Sequence, residues 1–146
     1  IHGDEQVLLW RRSYDIPPPK MDENDKRHPK HDRLYKEIDN QKLPNSESLK
    51  DTLDRVRPLW INQIVPQIKN GKSIMIVAHG NSLRAIVKIL KKISDKDIIS
   101  LNIPTGIPYV FEFKDNFAVK KDYYLGNQDE ALKKIDNVSN QGRSED

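Results

Sequence analysis

Apolar residues along the chain gather into a few short stretches separated by long polar ones, and each stretch keeps its own period. Leu49, Leu53, Val56, Trp60, Ile64 and Ile68 recur at intervals of three and four, with Ser46 and Ser48 upstream as N-cap candidates and Asn70 with Gly71 as a stop. This spacing predicts one amphipathic helix. Pro58 and Pro66 each remove a backbone donor and are expected to kink it or divide it. Ile74, Met75, Ile76, Val77 and Ala78 then run without a polar break, led by Ser73 and bounded by Gly71 and Gly80. Such a run predicts a central parallel strand buried on both faces. Helical spacing returns with Leu83, Ile86, Val87, Leu90 and Ile93, so this region reads helix, strand, tight turn, helix. Ser94 with Asp97 has the form of a capping box opening a short helix over Ile98, Ile99 and Leu101.

On the N-terminal side, Gly3 and Asp4 open a helix through Val7, Leu8, Leu9 and Trp10 to Arg11 and Arg12, ending before Pro17. Residues 17–45 are polar, highly charged and interrupted by proline, and predict a long irregular loop suited to a lid or an oligomer contact. Downstream, Pro108 to Phe113 and Phe117 to Leu125, joined through Asp115 and Asn116, predict an antiparallel hairpin. The tail, residues 128–146, starts as a helix through Ala131, Leu132, Ile135 and Val138. From Asn140 to Asp146 no apolar residue anchors it, so it is expected to be mobile.

These elements define an α/β chain of 146 residues, a length suited to one domain. A strand apolar on both faces needs parallel neighbours and helices above and below it. The sheet is therefore expected to be part of a three-layer arrangement whose N-terminal strands are missing. The start at Ile1, without an initiator Met, is accordingly read as a cut.

Composition narrows the chemistry. Hydrophobic residues make up only 36% and charged residues 32%, which concentrates the core in the stretches above. With no cysteine, disulfides and thiolate metal sites are excluded. The 25 Lys and Arg are interleaved with 22 Asp and Glu, giving +3 without a long basic block, so nucleic acid is not the expected partner. No window approaches the roughly 18 apolar residues of a membrane span, and the chain is read as soluble and cytoplasmic. Walker loop, dinucleotide fingerprint and Gly-x-Ser-x-Gly elbow are all absent.

The most informative stretch is Val77, Ala78, His79, Gly80, Asn81, Ser82, Leu83, Arg84, where a predicted strand gives way to a helix. Ligands of open α/β sheets bind beyond the carboxyl ends of the strands, and His79 stands at such an end. Gly80 lets a ligand come close to the backbone, and Asn81 or Ser82 can cap the helix. Free N–H groups with the helix dipole favour an anion such as phosphate. A cationic imidazole there would offset charge on a phosphoryl group in transit; the alternative is a strand-end histidine that bonds a backbone carbonyl. Arg11 and Arg12 match phosphate oxygens as planar forks, or merely complement a helix dipole. His28 and His31, near Asp25 and Asp32, have Pro29 between them, which breaks the face a metal site would use; a surface loop is the expected reading.

Several blocks occur in a fixed order: Gly3 to Val7 with Trp10, Arg11 and Arg12; Pro17 and Pro18; Leu53 to Val56; Ala78 to Arg84; Leu101 to Gly106; Tyr123 to Gly126; and Asn140, Gln141 and Gly142. In this order the chain resembles the C-terminal portion of the cofactor-dependent phosphoglycerate mutases, a family of the histidine phosphatase superfamily. The resemblance implies an isomerase that interconverts 3-phosphoglycerate and 2-phosphoglycerate in glycolysis. It does so through a phosphohistidine primed by 2,3-bisphosphoglycerate, without metal, as a homodimer or homotetramer. It makes His79 the second active-site histidine, Arg11 and Arg12 substrate clamps, and Gly80 and Asn81 contacts to the phosphoglycerate. The family's nucleophilic His and proton-donor Glu would lie upstream, so the 146 residues alone are expected to be inactive. A broad histidine phosphatase and a non-catalytic binding or assembly module remain as alternatives.

Overall fold

Ser48 starts the principal helix by a reciprocal cap. Its hydroxyl accepts from the Asp51 backbone N–H at 3.2 Å while the Asp51 carboxylate accepts from the Ser48 N–H at 2.8 Å. In a computed structural model, which describes residues 2–140, this helix, α2, runs Leu49–Leu59. It continues as a π-helical turn over Trp60–Ile64 and as α3 over Val65–Lys69. The proline-divided helix expected from sequence is thus three pieces. The wide turn falls between Pro58 and Pro66, where the Val65 N–H reaches the Trp60 carbonyl.

Before it lie α1, Asp4–Arg12, and the long loop. The loop holds three short 3-10 turns, Pro29–His31, Arg33–Tyr35 and Asn40–Lys42, each opened by the side chain of the preceding residue. After it come α4, Gly80–Lys91, a 3-10 turn at Asp97–Ser100, the strands β1, Tyr109–Phe113, and β2, Val119–Tyr124, and α5, Gln128–Asn140. Ser94 opens the Asp97–Ser100 turn as its sequence suggests, accepting from the Asp97 N–H at 3.1 Å. No helix is long and apolar enough to cross a membrane among the described residues. The expectation of a mobile end falls mostly on residues 141–146, which lie outside the described residues.

The core forms where α2 packs on α4. Leu49, Leu53, Ala85 and Ile98 make one buried cluster, with Tyr14 and Ile89 against it. Val56, Trp60, Ile64 and Ile86 make a second, reached by Ile76 and Phe117.

The expected central strand is the main departure. Residues 72–79 run between α3 and α4 without a ladder partner among the described residues, and Met75 and Val77 are 82% and 87% exposed. Ile76 packs against the second cluster. The chain is mixed α/β, but the sheet among the described residues is β1 and β2 alone, antiparallel, with a bulge after Glu112. An apolar run becomes a buried strand only if neighbours supply its backbone partners.

The hairpin is tied to α4 through Lys91, whose ammonium meets the Asp122 carboxylate at 2.8 Å and the Tyr109 hydroxyl at 3.2 Å. Burial alone would raise the Asp122 carboxyl, but the hydrogen bonds from Lys91 and Tyr109 outweigh it and hold it below the ordinary range. Tyr124 stacks on Tyr109 with ring centroids 4.3 Å apart. Burial, and secondarily the nearby Tyr109, pushes its phenol up to about 12 from 10.0. Below pH 10 neither folded nor unfolded chain ionises this phenol. Above it the unfolded chain loses the proton first, so the contribution to stability disappears as pH rises from about 10 to about 12. Ultraviolet titration should therefore show one tyrosine ionising near pH 12 that Tyr124→Phe removes, together with part of the stability loss over that interval.

Candidate functional site

Residue 79 becomes the N-cap of α4, with extended backbone (φ -61°, ψ 148°). Its ring Nδ1 accepts from the Asn81 backbone N–H at 3.3 Å. The cap is thus the imidazole itself, where Asn81 or Ser82 was expected from sequence. A ring that accepts at Nδ1 carries its proton on Nε2 when neutral. His79 is exposed, and Nε2 makes no hydrogen bond among the described residues. This puts a donor at the positive end of a helix, where an anion is favoured. Among the described residues no backbone carbonyl accepts from the His79 ring.

Gly80 opens the first turn. A Cβ added there would meet nothing within 4 Å. Packing among the described residues therefore does not demand glycine at this point. Asn81 is exposed, and its Oδ1 accepts from Arg84 Nη1 at 3.2 Å.

Arg12 ends α1 and reaches two further segments. One of its terminal nitrogens donates to the Asn102 carboxamide oxygen. The other donates to the carbonyls of Val138 and Ser139, at 3.2 and 2.7 Å. Arg12 thereby caps the carbonyl end of α5, a role beyond the dipole of its own helix. Its charge also bears on Arg84: burial first, and Arg12 second, lower the pKa of that guanidinium. Arg12, Asn102, Arg84 and Asn81 therefore form one polar neighbourhood at the start of α4. Arg11 stands beside Arg12 in the last turn of α1 and is exposed.

Two members of this group, Arg84 and Asn102, are not among the residues the sequence singles out for chemistry. The signal for Arg84 is a cation set among the apolar positions Leu83, Ala85, Ile86 and Val87 of the helix, and the structure buries it together with Ala85, Ile86, Val87 and Lys88. Asn102 carries no comparable mark.

His28 corrects the loop reading. It is 2% exposed, with Nε2 against Asn45 Oδ1 at 2.6 Å and Nδ1 accepting from the Lys30 N–H at 3.1 Å. Both ring nitrogens are satisfied, which lets the imidazole be buried as an anchor of the loop. His31 is exposed, and among the described residues no group of three or more His, Cys, Asp or Glu is placed to hold a metal ion.

Comparison with known proteins fits this geometry. A family model described as histidine phosphatase superfamily (branch 1) matches residues 18–124. The chain is 54% identical over 142 residues to a protein of Bacteroides thetaiotaomicron named 2,3-bisphosphoglycerate-dependent phosphoglycerate mutase 2, covering 97% of this chain and 57% of that protein. Proteins named 2,3-bisphosphoglycerate-dependent phosphoglycerate mutase from Bacteroides fragilis and Porphyromonas gingivalis are 51% and 52% identical, with the same 97% and 57% coverage. The chain thus spans 57% of the length of these curated relatives.

Proposed function

The chain belongs to branch 1 of the histidine phosphatase superfamily, and from that premise we propose that it is the C-terminal portion of a phosphoglycerate mutase. The whole enzyme would interconvert 3-phosphoglycerate and 2-phosphoglycerate, primed by 2,3-bisphosphoglycerate and independent of metal. Its nucleophilic histidine and proton-donor glutamate would lie upstream of Ile1. The single observation that carries this reading is the grouping of a capping histidine, with an exposed Nε2 donor, and a neighbourhood of guanidinium and carboxamide groups. Such a group suits an anion with several oxygens.

His79 then donates to the phosphoryl oxygens through Nε2. Asn81 and the N–H groups of the first turn of α4 receive the same group, Gly80 leaves room for it, and Arg11 and Arg12 hold the acidic ends of the substrate. The exposed apolar run at residues 73–78 supports a sheet completed by sequence outside this chain. The same reading makes the complete protein a cytoplasmic homodimer or homotetramer.

A phosphohistidine route cannot run without its nucleophile. The isolated 146 residues, given 3-phosphoglycerate and 2,3-bisphosphoglycerate, should form no 2-phosphoglycerate above a buffer blank, while the complete polypeptide does. Turnover by the isolated chain would mean that the nucleophile lies within it and that the roles above are wrong. In the complete polypeptide, primed mutase activity exceeding phosphate release separates this reading from a broad phosphatase.

A further inference from the structure

Arg84 shares a motif with His79 but is buried, at 7% exposure. Its guanidinium joins two elements, with Nη1 donating to Asn81 Oδ1 at 3.2 Å and Nη2 donating to the Ile98 carbonyl at 2.8 Å. Nε has no hydrogen-bond partner among the described residues. The charge that bears on it is that of another cation, Arg12. A buried cation with no carboxylate partner among the described residues, and with the charge of a second cation bearing on it, is a poor arrangement for stability alone. What it orients is therefore the more informative question.

A carboxamide offers an oxygen that only accepts and a nitrogen that only donates, on two ends of nearly the same shape. Which end faces a ligand is set by the partner on the other end. A guanidinium has donors only, so contact with Arg84 fixes Oδ1 of Asn81 inward and leaves both Nδ2 hydrogens for another acceptor. Among the described residues those hydrogens have none, and Asn81 is exposed. The second bond of Arg84 fixes Ile98, in the turn that leads to Asn102, which in turn accepts from Arg12.

We infer that Arg84 is a positioning residue for the anion site: it locks the Asn81 carboxamide with its donors toward the phosphoryl oxygens and braces the turn that carries the Asn102 acceptor of Arg12. Loss of the lock lets the amide turn its oxygen toward an anion, which repels it. The identity of that anion rests on the phosphoglycerate mutase reading above; the lock itself rests on the geometry.

The test is a double-mutant cycle in the complete polypeptide, with 3-phosphoglycerate binding measured by isothermal titration. Arg84→Gln and Asn81→Ala should each weaken binding about tenfold, the scale of one charge-assisted hydrogen bond. The double variant should bind no more than about twofold worse than Asn81→Ala alone, because the main path from Arg84 to the ligand is then already gone. Arg84→Lys keeps the charge but has no fork, so it should bind more weakly than the unsubstituted protein by more than twofold but less weakly than Arg84→Gln, and it serves where Arg84→Gln unfolds. The Asn81 side-chain amide resonance should move in both Arg84 variants even without ligand. Multiplicative losses, or Arg84 variants binding within twofold of the unsubstituted protein, would overturn the inference alone. If the unsubstituted polypeptide does not bind 3-phosphoglycerate, the functional reading falls and this assignment with it.

Discussion

In the complete polypeptide, His79→Ala is expected to lower kcat for phosphoryl transfer by roughly a hundred- to a thousandfold, the usual effect of removing one preorganised donor from a developing charge. The fold should survive. His79 is exposed, so no cavity forms, and the interaction lost to the protein is one cap hydrogen bond of 3.3 Å. Caps of ordinary strength contribute about 1 kcal/mol. Steady-state kinetics and thermal unfolding measured on the same preparations separate the two effects. His79→Asn sharpens the contrast, because asparagine is among the best N-caps and should restore the stability without restoring the rate. A rate within about tenfold of the unsubstituted enzyme for either variant would remove His79 from the chemistry.

How far the sequence anticipates this structure depends on how local each determinant is. The divided helix, the capped turn at Ser94, the hairpin and the position of His79 at a helix start all rest on residues a few positions apart. Each was legible. Residues 73–78 were not, because their fate depends on backbone partners distant in sequence, and no periodicity within the run can supply them. His28 failed for a similar reason: its burial depends on Asn45, seventeen positions away. The pairing of Arg12 with Asn102 and with the end of α5 spans 90 positions and more. The resemblance of the ordered blocks implies a clamp role for Arg12, while its contacts had to come from the fold.

Long-range dependence also sets where the chain is most vulnerable, and Trp60 is that place. It is 4% exposed and opens the π-helical turn. Its ring belongs to the cluster between α2 and α4 and lies 6.5 Å from the ring of Phe117 in the hairpin turn. Phe117 has a φ of 65°, a backbone conformation that a bulky residue adopts only when its surroundings hold it there. Its ring is held by stacking on Phe113 at 4.7 Å as well as by Trp60. Trp60→Ala should therefore open a cavity and loosen the hairpin at once, costing about 3–5 kcal/mol. Ile61→Ala, one residue on but 53% exposed, should cost no more than about 0.5 kcal/mol. Urea unfolding of both variants tests the pair, and a loss below about 1 kcal/mol at Trp60 would mean that helix and hairpin do not depend on this ring. Fluorescence gives a second readout, since only Trp10 and Trp60 are present: Trp60→Ala should remove the shielded, blue-shifted component and leave the more accessible emission of Trp10.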